Sequence, residues 1–233
     1  MSGFAASLEA ELAPQRKRYD ASIGALLQSG RFGPVYPAIL VETYHYVKHS
    51  CALMERSAAA LEPARAGLRE YLLEHSDEER GHEAWLLDDL EALGYDRKAV
   101  EASVPLAETA SLVGRQLYVI EYLHPAGLLG YVYVMESRPP SMRWLSFLRD
   151  EVGIPATALT FFERHGDADV RHRVELAEAL DRFFTDSRAR DAARTSALYA
   201  IDGVVGLFER LRSGDFLTLC PTTLPSQQEH AHV

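Results

Sequence analysis

The sequence predicts an all-α protein, built as a single-domain bundle of about seven helices. Three observations carry that prediction. Apolar residues recur at three- and four-residue spacing through most of the 233 residues. No stretch shows the strict alternation of a half-buried strand. Proline and glycine fall where they cut the chain into helix-length segments.

The first helix is expected over 4–27, where Phe4, Leu8, Leu12, Tyr19, Ile23, Leu26 and Leu27 share a face. Pro14 is a candidate kink. Gly30 and Gly33-Pro34 break the chain, and a second helix is expected over 37–61. Glu62-Pro63 ends it, because the residue before a proline is pushed out of the helical region. The third helix is expected over 64–93, with Gly94 suited to its C-terminal cap. The fourth, over 107–136, is interrupted near His124-Pro125. Ser137-Arg138-Pro139-Pro140-Ser141 is a strong break, and a short amphipathic helix follows over 142–152. The sixth spans 156–184 with Gly166 inside it, which leaves room for a kink or a local opening, and the last spans 187–211. Residues 1–215 thus form one helical domain. Residues 216–233, with Pro221 and Pro225, form a loosely held tail.

The totals narrow the function. A net charge of -10 argues against nucleic acid and against an anionic membrane surface. Hydrophobic residues make up 47%, enough for a sizeable core. Cys51 and Cys220 cannot make a disulfide framework, which fits a reducing cytoplasm. No apolar run reaches membrane-spanning length, and the first twenty residues lack the apolar core of a signal peptide.

Six of the nine histidines fall on three stripes. His165, Asp169 and His172 stand at i, i+4 and i+7, and so do His75, Glu79 and His82. A helix turns once per 3.6 residues, so each set shares one face. Glu42, His45 and His49 give a mirrored stripe. Chance would supply roughly 0.05 matches to the His-x3-acid-x2-His template, against the two present. Imidazole and carboxylate together suit zinc, iron or manganese in a helical protein. Glu136 joins the candidates because it ends an apolar helix, on the face that carries Leu129, Val132 and Tyr133. Bridging carboxylates with imidazoles at the ends suit two metals about 3.5–4 Å apart, and the mixture favours non-haem iron or manganese.

These residues resemble the haem-oxygenase-like di-iron oxidases, a group related to thiaminase-like and pyrroloquinoline-quinone-synthesis-like folds. HGDADVRH (165–172) looks like the family's late His-x3-Asp-x2-His, EERGHE (78–83) like its earlier acid-and-His helix, and Glu136 like its mid-chain glutamate. The likeness spans roughly residues 35 to 185. It implies a haem-oxygenase-like bundle in which Glu79, His82, Glu136, His165, Asp169 and His172 hold two Fe(II) per chain, with Glu42 supplying a further carboxylate. In some members a glutamate stands seven residues before the helix-three histidine, where this chain has His75. In others it stands three before, as Glu79 does. Either Glu79 takes the role alone or His75 joins it.

The resemblance further implies O2 as co-substrate and the oxidation of a small organic molecule. Desaturation, N-oxygenation or C–C cleavage of an amino acid or fatty acid are the reactions it suggests. An external electron donor is compatible with this chemistry, and a homodimer is left open. The apolar faces near Leu129, Val132, Tyr133 and Phe161 are the expected cavity wall. Four rival readings stand beside it. They are a ferritin-like di-iron protein using Glu42-x2-His45 and Glu79-x2-His82, a metal-free thiaminase-like hydrolase with Cys51 as nucleophile, a haem protein ligated by His45 or His49, and a non-enzymatic helical binding protein.

Overall fold

The computed structural model describes residues 3–138 and 140–214, and only the backbone of residues 167–170. The expected tail at 216–233 lies outside the described residues. Eleven α-helices and no strand are found among those described. The extra helices arise because several expected long segments are broken. The second segment is α2 (Phe32–Val47) and α3 (Ser50–Ala60), divided by a turn at Lys48-His49. The third is α4 (Ala66–Glu79) and α5 (Glu83–Ala92). Here Gly81 takes φ +90°, a conformation open to glycine and strained for other residues. A short α6 (Arg97–Ala102) begins on Asp96, whose carboxylate accepts from Ala99 N at 2.8 Å.

The fourth segment is α7 (Ala107–Tyr118), a π-helical turn (Val119–Leu123) and α8 (Leu128–Glu136). His124 is extended at φ -162° ahead of Pro125, as the proline demands. Three further helices complete the bundle: α9 (Met142–Asp150), α10 (Thr160–Phe183) and α11 (Ser187–Ser213). The first, α1 (Phe4–Gln28), runs through Pro14, and α10 runs unbroken through Gly166.

Buried carboxylates lock helix starts to distant elements. Asp89 of α5 accepts from Thr160 N and Phe161 N at 3.1 and 3.0 Å, which fixes where α10 begins. Asp181 of α10 accepts from Ala5 N at 2.8 Å and so caps α1. At the centre, α8 lies against α11 so closely that a Cβ on Gly130 would stand 1.9 Å from Ala193 O. Two apolar clusters form the core. One gathers α1, α3, α4, α8, the C-terminal half of α10 and α11, with Leu72, Leu129 and Leu176 in it. The other gathers α2, α5, α9 and the start of α10, with Leu86 and Phe161 in it. The polar residues singled out in α4, α8 and α10 fall between the two.

Candidate metal centre

Four buried side chains from three helices meet in the interior. His75 and Glu79 come from α4, Glu136 from the last turn of α8 and His172 from α10. His75 Nε2 lies 3.0 Å from Glu136 Oε1. His172 Nδ1 lies 3.1 Å from Glu136 Oε2 and 3.6 Å from Glu79 Oε1. One donor atom from each of the four lies within 4.8 Å of the others. A second group, Glu79, His82 and His165, meets the same criterion. His82 Nδ1 is 3.0 Å and His165 Nε2 3.3 Å from Glu79 Oε2. Glu79 therefore belongs to both groups, with one oxygen turned toward each.

The chain break at Arg80–His82 makes this division. Glu79 is the last residue of α4, and His82 precedes the first residue of α5. The 75–82 stripe therefore does not lie along one continuous helix. Its two histidines fall on either side of the glutamate between them. The late stripe keeps its helix: α10 presents His165 and His172 one to each group. Asp169 stands between them in sequence, and its side chain lies outside the described residues.

The electrostatics follow from this arrangement. Burial pushes the Glu79 carboxyl upward, but hydrogen bonds from His165 and His82 outweigh it and hold the group well below the usual carboxylate range. Glu136 is likewise pushed up by burial and brought below its ordinary value by His75 and His172. Burial works to neutralise His172, yet Glu136, Glu79 and Glu78 raise it to about 9. In His75 the upward pull of Glu136 also wins over burial. Among the described residues, Glu79 Oε1 is buried without a hydrogen-bond partner. Leaving such atoms unmatched costs about 1–3 kcal/mol each, and a divalent cation satisfies lone pairs of this kind. Two carboxylates and four imidazoles fit iron or manganese better than calcium or magnesium, which take oxygen ligands.

Two neighbours support the group from behind. Glu78 places Oε2 3.1 Å from His172 Nε2, and Arg171 holds both Glu78 oxygens at 3.1 and 3.2 Å. Trp85 stacks on His82 with ring centres 4.0 Å apart and meets His165 edge-on at 6.0 Å. Neither stood out in the sequence. Glu78 is one of several consecutive acids, and Trp85 shows its role only by lying one turn after His82.

The remaining candidates go elsewhere. Glu42 is buried in α2, and its oxygens accept from Leu106 N at 3.3 and 3.1 Å. It is in neither metal-compatible group. His45 is held between Ser103 Oγ at 2.8 Å and Lys48 Nζ at 2.9 Å, and His49 is exposed. Cys51 donates to Ser76 O at 3.3 Å, and burial pushes its thiol upward, away from the nucleophilic thiolate.

A cavity of about 440 Å³ opens on the centre, with Glu79, Glu136 and His165 in its wall. Val132 and Phe161 line it as expected; Leu129 and Tyr133 do not. Leu129 is buried in core packing, and Tyr133 donates its hydroxyl hydrogen to Glu9 at 3.2 Å.

A family model described as iron-containing redox enzyme matches residues 38–202. Among solved structures, a domain of unknown function with a haem-oxygenase-like fold from Shewanella denitrificans OS217 aligns with a TM-score of 0.79 and 20% identity. That alignment covers 91% of this chain and 94% of the other. A TenA homologue from Pseudomonas syringae pv. tomato DC3000 aligns with a TM-score of 0.69 and 14% identity, over 90% of this chain and 93% of the other. No curated protein matches the chain. The bundle has the haem-oxygenase-like fold, and no described helix is long and apolar enough to cross a membrane.

Proposed function

The chain belongs to the iron-containing redox enzyme family, and from that premise we propose that it is a non-haem di-iron oxidase or oxygenase acting with O2 on a small organic substrate. The observation that carries this reading is the pair of donor groups sharing Glu79. One group offers His75, Glu136 and His172, the other His82 and His165, and the shared carboxylate is of the kind that joins paired metals. Bound iron supplies the electron transfer to O2 that side chains alone do not.

The protein's own groups do the rest. Helices α4, α5, α8 and α10 hold the imidazoles and carboxylates in place, and the apolar cavity sets the substrate against Glu79, Glu136 and His165 while excluding water. Glu78 fixes the His172 ring, and Trp85 fixes the His82 ring. An external electron donor belongs to the same proposal. Cys51 is absent from the cavity wall, so a hydrolase built on that thiol lacks support.

Metal content tests this directly. After anaerobic loading with ferrous iron and desalting, wild type is expected to hold two irons per chain, and His172→Ala to lose most of them. No iron in either protein would remove the oxidase reading.

A further inference from the structure

The cavity is apolar over most of its wall, yet four tyrosines interrupt it. Ile39, Leu53, Met54, Leu128 and Val132 line it, and its size lies within the range of small-molecule sites. Tyr36 spends its hydroxyl hydrogen on Ala158 O at 2.7 Å, which leaves Tyr19 of α1, Tyr46 of α2 and Tyr131 of α8. The three line one cavity and lie near enough to act on one another's charge: Tyr19 raises the pKa of Tyr46, and Tyr46 raises that of Tyr131. Burial is the main cause of the rise in all three and takes Tyr46 to about 12, so each keeps its proton and is a donor.

Two of these donors are poorly used by the protein itself. The Tyr46 hydroxyl reaches Thr43 Oγ1 only at 3.5 Å, and Thr43 gives its own hydrogen to Ile39 O at 2.7 Å. The Tyr131 hydroxyl has Ser50 as a hydrogen-bonding neighbour. The Tyr19 hydroxyl makes no hydrogen bond to any described residue.

The charges near Tyr19 are already paired. Arg16 meets Glu9 through Nε and Nη2, each at 2.9 Å. Arg138 meets Asp20 at 3.1 Å. No other lysine or arginine lines the cavity among the described residues. Both pairs lie close enough to act on Tyr19, so an anion or an ammonium group beside the tyrosines would have to draw its counter-charge out of one of them. A neutral oxygen suffers no such penalty and accepts from the phenols.

We infer that the cavity takes an elongated, largely apolar molecule with a neutral oxygen function, a carbonyl or an alcohol, bound by the Tyr19, Tyr46 and Tyr131 hydroxyls. Its hydrocarbon part runs toward Glu79, Glu136 and His165. Tyr131 and Glu136 are five residues apart on α8, about 7.5 Å along the axis, so a chain of several carbons bridges the interval. The oxidation of that chain rests on the proposed di-iron activity; its binding does not.

Calorimetric titration of the full-length chain, without added iron, separates the two. The probes are decanol, decanoate and α-aminodecanoic acid, at a pH where decanoate is ionised. Decanol is expected to bind at least about tenfold more tightly than either of the others. Tyr46→Phe with Tyr131→Phe is expected to weaken decanol at least about tenfold, and Tyr19→Phe alone by about threefold. Tyr19 is only half-buried, so its variant keeps the test open if the double variant does not fold. Decanol binding by a protein that takes up no iron would keep the tyrosine site and remove the oxidase. Iron uptake without decanol binding would do the reverse. Decanoate or the amino acid binding as well as decanol, or a folded Tyr→Phe variant binding it like wild type, overturns the inference.

Discussion

Two regions of this molecule begin from the same kind of sequence signal and end differently. Glu42 and His45 in α2 are 1% exposed, as buried as His75 at 3% and His172 at 1%. In α2 the polar atoms are consumed one by one. Leu106 N takes Glu42, and Ser103 and Lys48 take the two ring nitrogens of His45. Ser103 donates to Val100 O at 2.7 Å, so it accepts from His45 Nε2–H, and Nδ1 is left to accept from Lys48. In the interior group the imidazoles and carboxylates face one another, because α4, α5, α8 and α10 bring their polar residues to one place. Spacing puts candidate ligands on one face. A second face carrying complementary donors is what makes a site of them.

The sharpest way to break this comparison is to remove one oxygen from each region. Glu79→Gln takes the charge from the carboxylate common to both donor groups, and iron binding is expected to weaken more than about 100-fold. Glu42→Gln keeps an acceptor for Leu106 N. It is expected to leave iron content unchanged and cost about 1 kcal/mol in urea denaturation. Equal iron loss in the two variants would make the stripes equivalent and cancel the distinction.

Much of the centre was legible because helical spacing survives folding wherever the helix does. His165 and His172 sit on an unbroken α10, and Glu136 ends α8 facing inward, as its apolar neighbours required. The 75–82 stripe was found for a reason that is only partly physical here. Gly81 turns the chain, so Glu79 lies between its histidines and belongs to both groups. Glu78 was not legible, since an acid among acids carries no pattern. Glu42 lies apart from both donor groups for a definite reason: its partner is a backbone N–H 64 residues away, which side-chain spacing does not encode. The helix count was short for a similar reason, because Lys48-His49 and Gly81 break helices where no proline marks the break.

Acid and alkali should distinguish the two regions in the iron-free protein. Burial opposes the charge on His172, but Glu136, Glu79 and Glu78 raise its pKa to about 9. Its contribution is fully present below the unfolded value of about 6.5 and is lost as pH rises through about 9, on the order of 3 kcal/mol in all. Burial first, then the charges of Lys48 and His49, lower His45 to about 4. Its contribution is present above about 6.5 and is lost as pH falls toward 4, by a similar amount. Urea midpoints across this range should fall on both sides of a plateau. His172→Gln should flatten the alkaline arm, and His45→Gln the part of the acid arm above about pH 4.5, where carboxylates begin to protonate. An acid arm unchanged in His45→Gln would contradict the burial account of that ring.

The smallest expected effect probes the support behind the centre. Nε2 of His172 faces Glu78, while Nδ1 faces Glu136 and Glu79. A carboxylate behind an imidazole keeps the proton on the near nitrogen and the lone pair on the far one, the form a metal requires. With its pKa near 9, His172 carries both protons at neutral pH in the iron-free state, so iron binding must expel the one on Nδ1. Glu78→Gln weakens the hold on the remaining proton. Ferrous binding is then expected to fall about tenfold, the lower end for residues behind a ligand. Nitrogen chemical shifts of labelled histidine should show a less uniform tautomer for His172 in the zinc-loaded variant. Arg171→Met should act in the same direction and more weakly, since Arg171 only steadies Glu78. Unchanged affinity with a mixed tautomer would mean that packing alone orients the ring, and the centre would then be built entirely from the helices that meet there.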